Sequence, residues 1–149
     1  MSINYVLYMA ESWSPREALR EVTHRVQLPE EAPRSGKQVE ETTAIPHLWV
    51  VATQPKPPVD DYVREDHGFL PKLRLHIRLD KSNLHEAEDH LLDLVSQILL
   101  RSTSDVVLLR EEDSVVLLRR EGRLEIHADA LWSSPERRAR LEKLLRERV

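Results

Sequence analysis

The sequence predicts an α+β domain of two layers: one largely antiparallel sheet of about five to six strands, with two to three helices packed on it. Three observations carry that expectation. Leu73, Leu75, Ile77 and Leu79 alternate with Lys72, Arg74, His76 and Arg78, the period of two of a strand with one buried and one wetter face. Directly after it, Leu84, Ala87, Leu91, Val95 and Ile98 recur at helical spacing, with Leu92, Leu94 and Leu99 widening the stripe. Towards the end, the runs Val106 to Arg110, Ser114 to Arg119 and Arg123 to His127 read as strands joined only by Glu111-Glu112-Asp113 and Arg120-Glu121-Gly122. Connections this short force antiparallel neighbours. One such sheet with helices on it is the α+β arrangement.

Taken in order, Ile3 to Met9 is an apolar run rich in aromatic and β-branched residues, a central strand. Ser14-Pro15-Arg16-Glu17 starts a helix, with an N-cap serine, proline at the first helical position and glutamate at the third. Trp13 and Ala18 suit a hydrophobic staple, Leu19, Val22 and Val26 give a narrow apolar stripe, and Pro29 stops the helix by Leu28. Residues 29–38 read as a loop and 39–53 as extended chain, best over Leu48 to Ala52, with a partner strand before Pro46. Gln54 to Pro58 is a stiff loop, and Val59 to His67 a short helix. Asn83 with Glu86 forms a capping box for the helix at Leu84. Ser134-Pro135-Glu136 starts a last helix, docked by Leu141, Leu144 and Leu145.

At 149 residues a single domain spanning 1–149 is expected, long enough to bury about 68–70% of its surface. The net charge of −4 is unevenly spread: residues 1–66 hold seven Lys/Arg against eleven Asp/Glu, so the acidic surplus lies in the first half. The absence of cysteine excludes disulfides and thiolate zinc sites and fits a reducing compartment. No apolar run approaches a membrane span, and the start lacks the basic and apolar regions of a signal peptide, so a cytoplasmic location is expected.

No constellation reads as a reaction centre. His85 and His90 stand five apart, whereas two zinc ligands on one helical face stand four apart; they point about 140° from each other, and a solvated acidic first turn is the better reading. Lys72, Arg74, His76 and Arg78 could grip phosphates, but a polar sheet face paired with acids of neighbouring strands is favoured, with Glu125 and the polar residues before Trp49 as partners. No aromatic interleaves with that stripe in sequence. There is no nucleophile elbow, and three glycines in the chain argue against a phosphate cradle.

The run Gly68-Phe69-Leu70-Pro71-Lys72-Leu73-Arg74-Leu75-His76-Ile77-Arg78-Leu79-Asp80-Lys81 resembles the middle segment of the SitI family, immunity proteins of bacterial swarm-inhibition toxin systems. Ile3 to Tyr8, the helix from Leu84 to Leu99, and Val116 to Leu124 fit the same family outline in order. The resemblance implies a cytoplasmic antitoxin, not an enzyme, that binds one cognate toxin and blocks its active site or its access to its target. Such toxins are commonly nucleases with basic surfaces. The alternatives are a small nucleic-acid-binding domain and an acid/base enzyme of unknown substrate. Against a basic partner, the acidic loops are the expected contact surface: Asp60, Asp61, Glu65 and Asp66 first, and Glu111, Glu112 and Asp113 second. No cofactor, metal, direct nucleic-acid contact or membrane partner is expected.

Overall fold

Ile3–Met9 forms β1 at the centre of the sheet because it is apolar on both sides. In the computed structural model, which describes residues 3–22, 39–42, 45–127, 130–132 and 134–147, β1 is flanked on one side by β4 (Leu73–Leu79), then β3 (Leu48–Thr53) and β2 (Val39–Thr42). On the other side lie β5 (Val106–Arg110), β6 (Ser114–Arg120) and β7 (Arg123–Ile126). Every neighbouring pair is antiparallel. The register aligns Ala52, Leu75, Leu7, Leu108 and Leu117 in one row across five strands, all buried on the same face.

That face carries three helices. These are α1 (Pro15–Val22), α3 (Leu84–Arg101) and α4 (Pro135–Glu147), which bury Ala18, Leu19 and Val22, the stripe from Ala87 to Leu99, and Leu141 respectively. The fourth helix, α2 (Val59–His67), lies on the opposite face. There Val63 and Phe69 pack on Val6 and Tyr8 of β1 and Val107 and Leu109 of β5. The α+β class and antiparallel sheet are as expected, with seven strands and four helices among the described residues where the sequence predicts about five to six and two to three. β3, β4 and β7 alternate a more buried with a wetter face; β1 and β5 are buried on both sides over most of their length, which is why their sequences do not alternate.

The local chemistry agrees with the sequence in most places. Ser14 Oγ accepts from the Glu17 N–H at 3.1 Å, the expected cap of α1. At α3 the cap differs: Asn83 makes no side-chain cap bond. Asp80 takes the role instead, accepting from the Ser82 N–H at 2.9 Å and Asn83 Nδ2 at 3.0 Å over a 3₁₀ turn (Lys81–Asn83) that leads into the helix. The expected end of the first helix by Leu28, its Val26 contact and the loop 29–38 lie outside the described residues, as do the side chains of Leu144 and Leu145.

A bulge re-aims β6. Leu108 pairs with Leu117 but Leu109 with Val115, leaving Val116 as an extra residue. Val116 and Leu117 therefore both face the larger core, while Val115 and Leu118 face the α2 side. The freed Val116 carbonyl accepts from the His127 N–H at 2.9 Å and from Trp132 Nε1 at 3.4 Å.

Candidate functional site

The face of β4 that lacks helical cover presents Arg74, His76 and Arg78, and all three are engaged within the fold. Arg74 Nε donates to Tyr8 Oη at 3.3 Å and its Nη2 to Glu112 Oε1 at 2.9 Å. His76 Nε2 lies 3.0 Å from Asn4 Oδ1. The Arg78 guanidinium stacks 4.9 Å from the centre of the Trp49 ring. Arg74 and His76 are thus bonded within the sheet and Arg78 rests on Trp49, while Lys72, just before β4, is exposed; the partners differ from those expected. Glu125 sits four strands away on β7, beside His127. Aromatic rings do flank the stripe, because the register sets Trp49 opposite Arg78 and Tyr8 opposite Arg74. Burial pushes the His76 imidazole below its ordinary pKa, helped by Arg74 and Arg78 and opposed by Glu112 and Glu111.

Four of the eleven acidic residues of the first half, Asp60, Asp61, Glu65 and Asp66, lie on α2. Its end is fixed by Gly68, whose φ of 83° suits a left-handed cap and whose N–H donates to the Arg64 carbonyl at 3.0 Å. A Cβ there would also lie 2.6 Å from Arg120 Nη1. Asp60 Oδ1 accepts from the Asp61 N–H at 3.0 Å in the first turn, where the helix dipole favours a carboxylate. Asp61 pairs with Arg64 at 3.3 Å, one turn on. Glu65 and Asp66 are exposed. Burial lowers the pKa of His67 at the helix end, with Asp66 opposing. Between these carboxylates α2 carries apolar surface: Val59 is 38% exposed, Tyr62 60%, and Leu70 just beyond the helix 44%. Among the described residues these are the exposed large hydrophobics.

The second acidic cluster is the β5–β6 hairpin tip, which adopts left-handed backbone at Glu111 (φ 53°) and Glu112 (φ 68°). The tip is tied into the sheet. The Glu111 N–H donates to the Asn4 carbonyl at 3.0 Å, and Glu111 Oε1 accepts from the Asn4 N–H at 3.1 Å. Glu112 holds Arg74, and Asp113 Oδ1 accepts from Ser114 Oγ at 3.2 Å. The two acidic groups are anchored differently. The hairpin joins the Asn4 end of β1, whereas the chain leaving α2 rejoins the sheet where the Lys72 N–H donates to the Met9 carbonyl at 2.9 Å.

The histidines do not assemble a reaction centre. His85 lies at the seam between α3 and α4, where the buried Arg137 donates from Nη2 to its Nδ1 and its carbonyl, both at 3.0 Å. Arg137 also donates to Asp89 at 3.0 Å and pairs with Glu88 at 3.3 Å, so the acidic first turns of α3 bind a helix. His90 instead faces His47, ring centres 6.1 Å apart. His47 pairs with Asp80 at 3.6 Å beside a shallow groove of about 280 Å³ lined by Leu48, Trp49, Arg78 and Leu79. Hydrogen bonds from Asn83 and Ser82 hold the Asp80 carboxyl below its usual range. No group of three metal-ligating side chains occurs among the described residues.

What the geometry offers is a scaffold with an outward-facing acidic and apolar helix. A protein-family model described as SitI3-like matches residues 3–137, most of the chain. The chain belongs to the SitI3-like family. No curated protein and no solved structure matches it. The SitI3-like match makes it an immunity-type protein, and it takes in every strand among the described residues and helices α1 to α3. No helix among the described residues is long and apolar enough to cross a membrane.

In this SitI3-like chain the structure brings Asp60, Asp61, Glu65 and Asp66 together on α2, and Glu111, Glu112 and Asp113 together on one turn. What sequence reading missed is the surface between the first four. Tyr62 and Val59 look like ordinary core residues of a short helix. Only the observation that Val63 alone is buried within α2 exposes the surplus. The signal available in the sequence was that a nine-residue helix with five charged residues needs few inward apolar positions.

Proposed function

We propose that the protein is an immunity protein that neutralises one cognate toxin in the cytoplasm, by binding it and covering its active site or target-binding surface. It does so without catalysis or cofactor. The observation that carries this reading is the SitI3-like match over residues 3–137. The site chemistry supports it: the arginines and histidines that could serve a reaction are engaged in holding strands and helices together. The same engagement speaks against nucleic-acid binding through the β4 stripe. The partner we infer is a basic protein, a nuclease by chemical class. Asp60, Asp61, Glu65 and Asp66 would steer it, with Glu111, Glu112 and Asp113 in a secondary role, since all three hairpin carboxylates already hold intramolecular bonds.

Co-expression tests this reading. A toxin-sensitive host that expresses the cognate toxin should grow when this protein is produced. Growth no better than with an empty vector would refute it.

A further inference from the structure

Helix α2 is held to the sheet by Val63, with Phe69 following it into the same cluster. At 100° per residue, Tyr62 points about a quarter-turn away from Val63, and Val59 lies between the two. The fold makes no use of most of the Tyr62 ring, which is 60% exposed. Tyrosine buries a large apolar body on few rotatable bonds and keeps a polar tip, the profile of residues that dominate protein interfaces.

The surroundings specify the partner's charge. On a helix the neighbours of Tyr62 are its i−3, i+3 and i+4 positions, which are Val59, Glu65 and Asp66. Asp61 precedes it and pairs with Arg64, which answers the one arginine of the helix. We infer that Tyr62, with Val59 beside it and Leu70 flanking, is the apolar anchor of the partner interface, seated in an apolar pocket with a basic rim on the toxin. This rests on the toxin-binding reading above. A second copy of the chain is a poor occupant, because two copies would set Glu65 and Asp66 against their own kind. From Val59 to the end of α2 is about 13 Å, within the span of one standard interface, which buries about 800 Å² per partner.

The test uses the full chain and an inactivated form of the toxin against which it protects in the co-expression experiment. Tyr62→Ala and Val59→Ser are compared with wild type by calorimetry, after thermal melts show that all three are equally folded. Both side chains are exposed enough for that comparison to hold. The expected result is a dissociation constant raised on the order of tenfold to thirtyfold for Tyr62→Ala, with a smaller rise for Val59→Ser. Wild-type affinity in both variants would overturn the anchor while leaving toxin binding intact. Absence of binding by wild type would overturn both. Light scattering is run on the same samples: a wild-type dimer that Tyr62→Ala converts to monomer would assign the patch to self-association and also overturn the proposal.

Discussion

Arg119 of β6 donates from Nη1 to the carbonyl of Leu99, in the last turn of α3, at 2.8 Å. The rest of its fork reaches past the helix end, to the Ser102 carbonyl at 2.7 Å and the Ser104 carbonyl at 3.0 Å. The guanidinium is buried and caps the negative end of the central helix from the sheet below it. Strand and helix, separated in sequence by β5 and its hairpin turn, are thereby locked in one orientation.

Arg119→Ala should cost about 3 kcal/mol or more, because three carbonyls lose a charged donor. Arg119→Lys should recover only part of it, since an ammonium cannot reproduce the planar fork. Urea melts of the two variants check both statements.

Ile77 and Arg78 are adjacent and opposite. Ile77 is fully buried and Arg78 lies exposed on the Trp49 ring. Ile77→Ala should destabilise by about 2–5 kcal/mol, and Arg78→Ala by no more than about 1 kcal/mol. Equal mild effects in urea would contradict the assignment of the inward face.

Stability should fall as the medium is acidified from neutrality. His76 and His67 both have pKa values below 6.5 in the fold. As pH drops through about 6.5 the unfolded chain therefore takes up protons that the folded chain does not. The loss continues until the pH passes below the folded values. His76→Gln should flatten this slope between pH 7.5 and 5.5, measured as the urea midpoint. An unchanged slope in a variant lacking both imidazoles would contradict it. The Asp80 contribution appears only in stronger acid, as pH falls through its lowered carboxylate pKa.

Replacing Asp60, Asp61, Glu65 and Asp66 by Asn or Gln should slow association with the toxin more than it speeds dissociation, and should weaken its salt dependence. Surface plasmon resonance at two ionic strengths reads both. Identical rate constants and salt dependence would leave these carboxylates as solubilising groups only.

The central strands were legible because period and turn length leave little freedom: the alternation at 73–79 and the connections at 111–113 and 120–122 dictate antiparallel pairing. The helix starts at Ser14 and Ser134 were legible from cap chemistry. The second core was not. Val6, Tyr8, Val107 and Leu109 sit in unbroken apolar runs that do not say which element covers each face, and the cover comes from Val63 and Phe69, distant in sequence. Partners of the β4 stripe were misjudged because they depend on strand order, which brings Asn4 and Tyr8 alongside it. At the candidate surface the acids of α2 could be named from charge alone. Exposure of Tyr62 could not, since it follows from how few side chains α2 turns inward.

The claim that this protein acts by stoichiometric binding is tested most directly by titrating it into a fixed concentration of purified, active cognate toxin and recording residual toxin activity. The account predicts a linear fall to zero at one equivalent, with no added cofactor. Full toxin activity at excess, or complete loss at a small fraction of an equivalent as a catalyst would give, would contradict it.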